Sequence, residues 1–143
     1  MADWLLRHLV LDNEAARALL STRAGDRRRA AVVEAITAAN GRTVVPTAVR
    51  VEAGWRRRDP DAASANRLVH DDDPLDRASA DRAVQLRLLV PTASVVDAAV
   101  AVTAERLCTG PASHAVVEVL TSDIRDLRAL AAHVEANVDV IAL

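Results

Sequence analysis

The feature of this sequence that most restricts its fold is a series of short runs rich in Val and Leu, separated by longer stretches patterned for helix. Residues 8–11, 43–45, 115–120 and 137–143 read as strands, and helical patterns cover 14–21, 27–39, 47–58, 61–69, 76–89, 92–107 and 125–133. Strands of this kind are apolar almost throughout, so both faces must be covered. When helices alternate with them, the chain returns by right-handed crossovers and the sheet is parallel. The expected class is α/β, a three-layer α/β/α sandwich around a central parallel sheet, in one domain over residues 1–143.

Local signals set the boundaries. Asn40-Gly41 suits a helix end, Pro46 stops the second strand, and Ser94 is placed to cap a helix with Asp97 in its first turn. Val51 and Trp55, spaced i, i+4, make an apolar stripe on the helix that follows Pro46, with Glu52 one position away. His70-Asp71-Asp72-Asp73-Pro74 reads as an exposed loop in which the adjacent acids point apart.

Composition removes several classes of function. There is no Phe and no Tyr, and Trp occurs twice, so the core is built from Ala, Val, Leu and Ile in close packing. Stacking platforms for single-stranded bases are equally scarce. A nucleic-acid ligand would be held by Arg, phosphate contacts and metal. The chain has no Lys, which excludes P-loop and Schiff-base chemistry. A net charge of −2 does not suit general nucleic-acid coating, and the clusters Arg27-Arg28-Arg29 and Arg56-Arg57-Arg58 read as solvated helix faces. Cys108 is alone, which excludes an intramolecular disulfide and suits an inert core thiol in a reducing compartment. His8, His70, His114 and His133 have no zinc spacing, and Ser94, Ser113 and Ser122 sit in no nucleophile elbow. The amino-terminal residues do not form a signal peptide and no run is long enough to span a bilayer, so a cytoplasmic protein without membrane partners is expected.

The chemistry lies with the acids. Asp12 closes the first strand and Asp123 closes the third, in Leu120-Thr121-Ser122-Asp123. In open parallel sheets, sites form at the carboxyl ends of strands. Glu52 and Asp97 sit on helices beside apolar residues that would face the sheet, where a charge is costly without a reward. Carboxylates brought together repel one another, which raises their proton affinity unless a cation neutralises them. Mg²⁺ or Mn²⁺ accepts such hard oxygen ligands and can prepare water for attack on a phosphodiester.

Four stretches resemble landmarks of the PIN family. Leu9-Val10-Leu11-Asp12-Asn13-Glu14-Ala15 is similar to the family's first strand and its aspartate. Val44-Val45-Pro46-Thr47-Ala48-Val49-Arg50-Val51-Glu52 is similar to its second strand, proline and glutamate-bearing helix. Val95-Val96-Asp97-Ala98-Ala99-Val100-Ala101 resembles the opening of its late helix, and Val119-Leu120-Thr121-Ser122-Asp123-Ile124-Arg125-Asp126-Leu127 its terminal strand and Thr-Ser-Asp turn. The chain departs from a typical member in the extra residues between Leu107 and Ala115, which lengthen a loop that is often tight.

The resemblance implies a PIN-like fold and a metal-dependent endoribonuclease of the VapC-like kind, the toxin of a type II toxin–antitoxin pair. Asp12, Glu52, Asp97 and Asp123 would hold Mg²⁺ or Mn²⁺, and Asn13, Thr121, Ser122 and Asp126 would orient ligands or water around them. The implied partners are an RNA substrate, a cognate antitoxin and a second copy of the chain in a homodimer. The alternative is a PIN-fold interaction module without nuclease activity.

Overall fold

The computed structural model describes residues 5–108 and 115–143. The lengthened loop after Leu107, with Ser113 and His114, falls largely outside them.

The chain opens with strand β1 (Leu6–Leu11), followed by helices α1 (Asn13–Leu20) and α2 (Arg27–Ala38). Strand β2 (Thr43–Pro46) leads into α3 (Thr47–Ala53), a short 3₁₀ turn over Pro60–Ala62 and α4 (Ala63–Leu68). Strand β3 (Asp71–Asp73), α5 (Arg77–Leu89) and α6 (Val95–Leu107) come next, and β4 (Ala115–Thr121), α7 (Ile124–Ala131) and β5 (Val138–Ala142) complete the order. All neighbouring strands are parallel, in the order β3-β2-β1-β4-β5.

The reason for the parallel sheet is visible in burial. Leu9, Val10 and Leu11 of β1 and Val117 and Val119 of β4 are all fully buried, although successive side chains point to opposite faces. Helices therefore cover both sides. From β1 the chain moves toward β2 and β3 through α1 to α4, and from β4 it moves the other way through α7. Right-handed crossovers in opposite directions put these helices on opposite faces. Ala15, Ala16 and Leu19 of α1 and Val100 and Ala104 of α6 complete the main core. No helix among the described residues is long and apolar enough to cross a membrane.

Two sequence expectations are corrected. Residues 71–73 are not a solvated turn but an edge strand, paired to β2 with Val45 opposite Asp72. Its acids are matched by arginines from elsewhere: Arg42 with Asp71, Arg50 and Arg57 with Asp72, and Arg106 with Asp73. The stripe of Val51 and Trp55 also fails, because α3 ends at Ala53 and Gly54 takes a left-handed φ of 72°. That turn leaves Val51 82 % exposed and folds Trp55 back into the core at 2 %. Here, the carbonyl of Arg50 accepts from the Trp55 amide at 2.8 Å, ending the helix in the manner of a glycine C-cap.

Candidate active site

The connections on either side of the sheet diverge between β1 and β4. β1 leads away toward β2, and β4 leads away toward β5. A crevice forms at the carboxyl ends of such a strand pair because neither following loop closes over it. Leu11 pairs with Leu120, so Asp12 and Thr121 stand side by side at this edge.

Each acid near the crevice is held by its backbone. Asp12 is the N-cap of α1 and accepts from the Ala15 amide at 3.0 Å. Asp123 is the N-cap of α7 and accepts from the Asp126 amide at 3.4 Å. Asp97 sits in the first turn of α6 in a reciprocal capping box: its amide donates to Ser94 Oγ at 3.0 Å, and its carboxylate accepts from the Ser94 amide at 3.4 Å. Capping alone would explain any one of these acids. What it does not explain is their convergence, with the positive ends of three helices aimed at one place.

Fully buried Thr121 joins two of them. Its hydroxyl donates to the Asp12 carboxylate and accepts from the Asp123 amide at 2.8 Å. On the far side, Thr92 Oγ1 donates to Asp126 at 2.8 Å. Carboxylate oxygens of Asp97, Asp123 and Asp126 all lie within 4.8 Å of one another. Asp12 and Glu52 stand outside this close group but line the same cavity, which is about 440 Å³ in volume.

Asp12, Glu14, Glu52, Asp97, Asp123 and Asp126 all line the cavity, along with Asn13 and Ser122, and among the described residues no basic side chain does. The electrostatic consequence shows in the buried acids. Burial, only partly offset by hydrogen bonds from Thr121 and Ala15, raises the Asp12 carboxyl above the usual carboxylate range. Burial and then the charge of Asp123 push Asp97 up to about 6. This strained set of hard oxygen donors, without a His or Cys among them, fits Mg²⁺ or Mn²⁺.

No family model matches the sequence, and no curated protein matches it at a significant level. Among solved structures, the chain is similar to one in "Structure of FitAB bound to IR36 DNA fragment", at 15 % identity and a TM-score of 0.58, covering 92 % of this chain and 94 % of that chain. The fold is PIN-like. A likeness at this identity speaks for architecture alone.

Within this PIN-like frame, Asp12, Glu52, Asp97 and Asp123 all reach the cavity, but not on equal terms. Glu52 is exposed, not tucked beside the core as the Val51–Trp55 stripe implied, because α3 turns that face outward. Asp126 belongs to the close carboxylate group, although its place in sequence also suits an ordinary helix charge. Its three-residue spacing from Asp123, on one helical turn, is the signal for that proximity. Glu14, also on the cavity wall, escapes a sequence reading because nothing distinguishes it from a first-turn helix acid. Asn13 holds Arg17, accepting from its Nε at 3.3 Å.

Proposed function

We propose that the chain is a Mg²⁺- or Mn²⁺-dependent endoribonuclease hydrolysing RNA phosphodiester bonds, with Asp12, Glu52, Asp97 and Asp123 as its acidic site, and that it is the toxin of a type II toxin–antitoxin system. One observation carries this reading: a cavity at the divergence of β1 and β4 whose charged lining among the described residues is entirely acidic, with three carboxylates packed within 4.8 Å. An interaction scaffold has no use for that repulsion. One solved structure to which this chain is similar holds a DNA fragment, which agrees with a nucleic-acid setting.

Asp97, Asp123 and Asp126 would hold the ion, with Asp12 and Glu52 supplying further oxygen ligands or binding its water. When bound, the ion supplies positive charge for the phosphate and makes water a stronger nucleophile. The residues themselves fix the geometry. Thr121 locks Asp12 against the start of α7, and the Ser94 capping box fixes the Asp97 carboxylate. With Asp97 losing its proton near pH 6, the site is anionic and ready for a cation at neutral pH.

The decisive experiment measures cleavage of labelled RNA by purified protein with Mn²⁺, Mg²⁺ or EDTA. Asp97→Asn is expected to abolish the metal-dependent products while its circular dichroism stays native. Cleavage by the variant at the wild-type rate would reject the assignment. Because the ion binds only the folded state, Mn²⁺ is also expected to raise the Tm of the wild type.

The toxin role predicts a partner chemistry. Six carboxylates, of which Glu14 is met by Arg28 at 3.7 Å, leave a net negative charge that attracts a guanidinium, so an antitoxin segment carrying Arg would enter the cavity and exclude the phosphodiester. Its inhibition is expected to weaken as Mg²⁺ rises, as cation and Arg compete for the same oxygens. Inhibition indifferent to Mg²⁺ would place neutralisation elsewhere. The protein is further proposed to act as a homodimer in the cytoplasm.

A further inference from the structure

The arginine run 56–58 does not lie on a helix face. It follows the left-handed turn at Gly54 and lines a cleft of about 610 Å³, together with Arg50, Trp55 and Pro60. We propose that this cleft is a phosphate-binding subsite for the backbone of the RNA strand, with Arg56 and Arg58 as its contacting groups. The proposal rests on the nuclease reading above and deepens it.

The cleft is built on fixed cations. Arg57 stacks its guanidinium 4.7 Å from the centre of the Trp55 ring, and donates to Asn66 at 3.1 Å, to the Val69 carbonyl and to Asp72 at 2.7 Å. Arg50 donates to the Trp55 carbonyl at 3.2 Å and to the other oxygen of Asp72 at 3.0 Å. Asp72 therefore faces two guanidinium groups with a single charge. Of the outer pair, Arg56 is 83 % exposed at its side chain and reaches Asp59 only at 3.4 Å. Arg58 is exposed and forms no ion pair with a described residue. Arg50, Arg56, Arg57 and Arg58 against Asp59 and Asp72 leave an excess of two positive charges.

The acidic cavity by itself repels a polyanion, so a strand threading it needs a grip outside it. Helix α3 contributes to both, Glu52 to the cavity and Arg50 to the cleft. Guanidinium groups match phosphate oxygens in shape and charge. Trp55 is too deeply buried for a base to stack on it, so the cleft would grip backbone without reading sequence.

Anisotropy of a fluorescein-labelled single-stranded RNA oligonucleotide, in EDTA to prevent cleavage, tests this on the full chain. Arg56→Ala/Arg58→Ala is expected to weaken binding about tenfold at low salt and to lower the slope of log affinity against log salt by about 1.4, as for two lost phosphate contacts on a single strand. Arg56→Lys/Arg58→Lys is expected to keep most of the affinity, and the rise in Tm caused by Mn²⁺ should be the same in all three proteins. If the wild type cleaves RNA while the alanine variant binds with unchanged affinity and slope, the subsite is overturned and the nuclease reading stands. A wild type that neither cleaves nor binds RNA would overturn both. An oligoglutamate peptide of equal charge that displaces the RNA at lower concentration than unlabelled RNA does would overturn the choice of occupant.

Discussion

Burial and the neighbouring Asp123 hold the Asp97 carboxyl near 6, whereas the same group in the unfolded chain titrates near 3.8. The folded protein thus binds this proton more tightly than the unfolded chain does. Without metal, its contribution to stability is greatest below pH 4 and is lost as pH rises toward 6. His8 works in the opposite sense. Its buried Nδ1 accepts from the Arg42 amide at 2.8 Å, and burial, then Arg42, lowers its pKa, so its contribution is present above 6.5 and lost as pH falls. Subtracting one protein's melting curve from another's cancels His8. The Tm of Asp97→Asn minus that of wild type, measured in EDTA, is expected to grow from pH 4 to pH 7. Saturating Mn²⁺ at pH 7 should remove or reverse the gain. A difference that stays flat with pH would mean that Asp97 ionises without strain.

At the level of elements, the crossing between β1 and the start of β2 depends on one residue without a side chain. The Gly41 amide donates to the Arg7 carbonyl at 2.9 Å, and a Cβ at Gly41 would lie 2.6 Å from His8 Nδ1 and 2.9 Å from that carbonyl. One of these contacts is backbone in the central strand and cannot swing away. Gly41→Ala is expected to cost about 1–3 kcal/mol in urea unfolding. An unchanged midpoint would show that β1 yields easily. The edge strand β3 makes the contrasting case. Three successive aspartates have poor strand propensity, and their sequence suggests a loop. They pair with β2 because Arg42, Arg50, Arg57 and Arg106, all remote in sequence, neutralise them, with Thr103 donating to Asp73 at 2.6 Å.

For the whole molecule, the surface outside the site carries one apolar stripe that a monomer does not need. Val84 and Leu88 of α5 lie one helical turn apart and are 58 % and 76 % exposed, with exposed Leu89 beside them. The other side of α5 is used up, since Ala83 and Leu86 pack into a second core with Ala98, Ala101, Val102 and Leu130. The proposed homodimer is expected to bury the Val84/Leu88 stripe. Light scattering at micromolar concentration should give twice the chain mass for wild type and the single mass for Leu88→Glu, with native circular dichroism in both. A wild type that stays monomeric would remove the dimer from the proposal.

Much of this architecture was open to reading in one dimension, because its signals are local. Apolar runs of strand length, helix caps such as Ser94 and the stop at Pro46 act through neighbours in sequence, and they specify an α/β chain with a parallel sheet. The carboxyl-end position of Asp12 and Asp123 was legible for the same reason, as each follows its strand directly. Local signals were blind to whatever depends on distant charge or on backbone handedness. Gly54, by turning left-handed, decided that Trp55 is buried and Val51 and Glu52 face outward. Long-range ion pairs made a strand of residues 71–73. Only the packing of α6 against α7 could bring Asp97 within 4.8 Å of Asp123 and Asp126, because that distance is set between helices whose sequences do not touch.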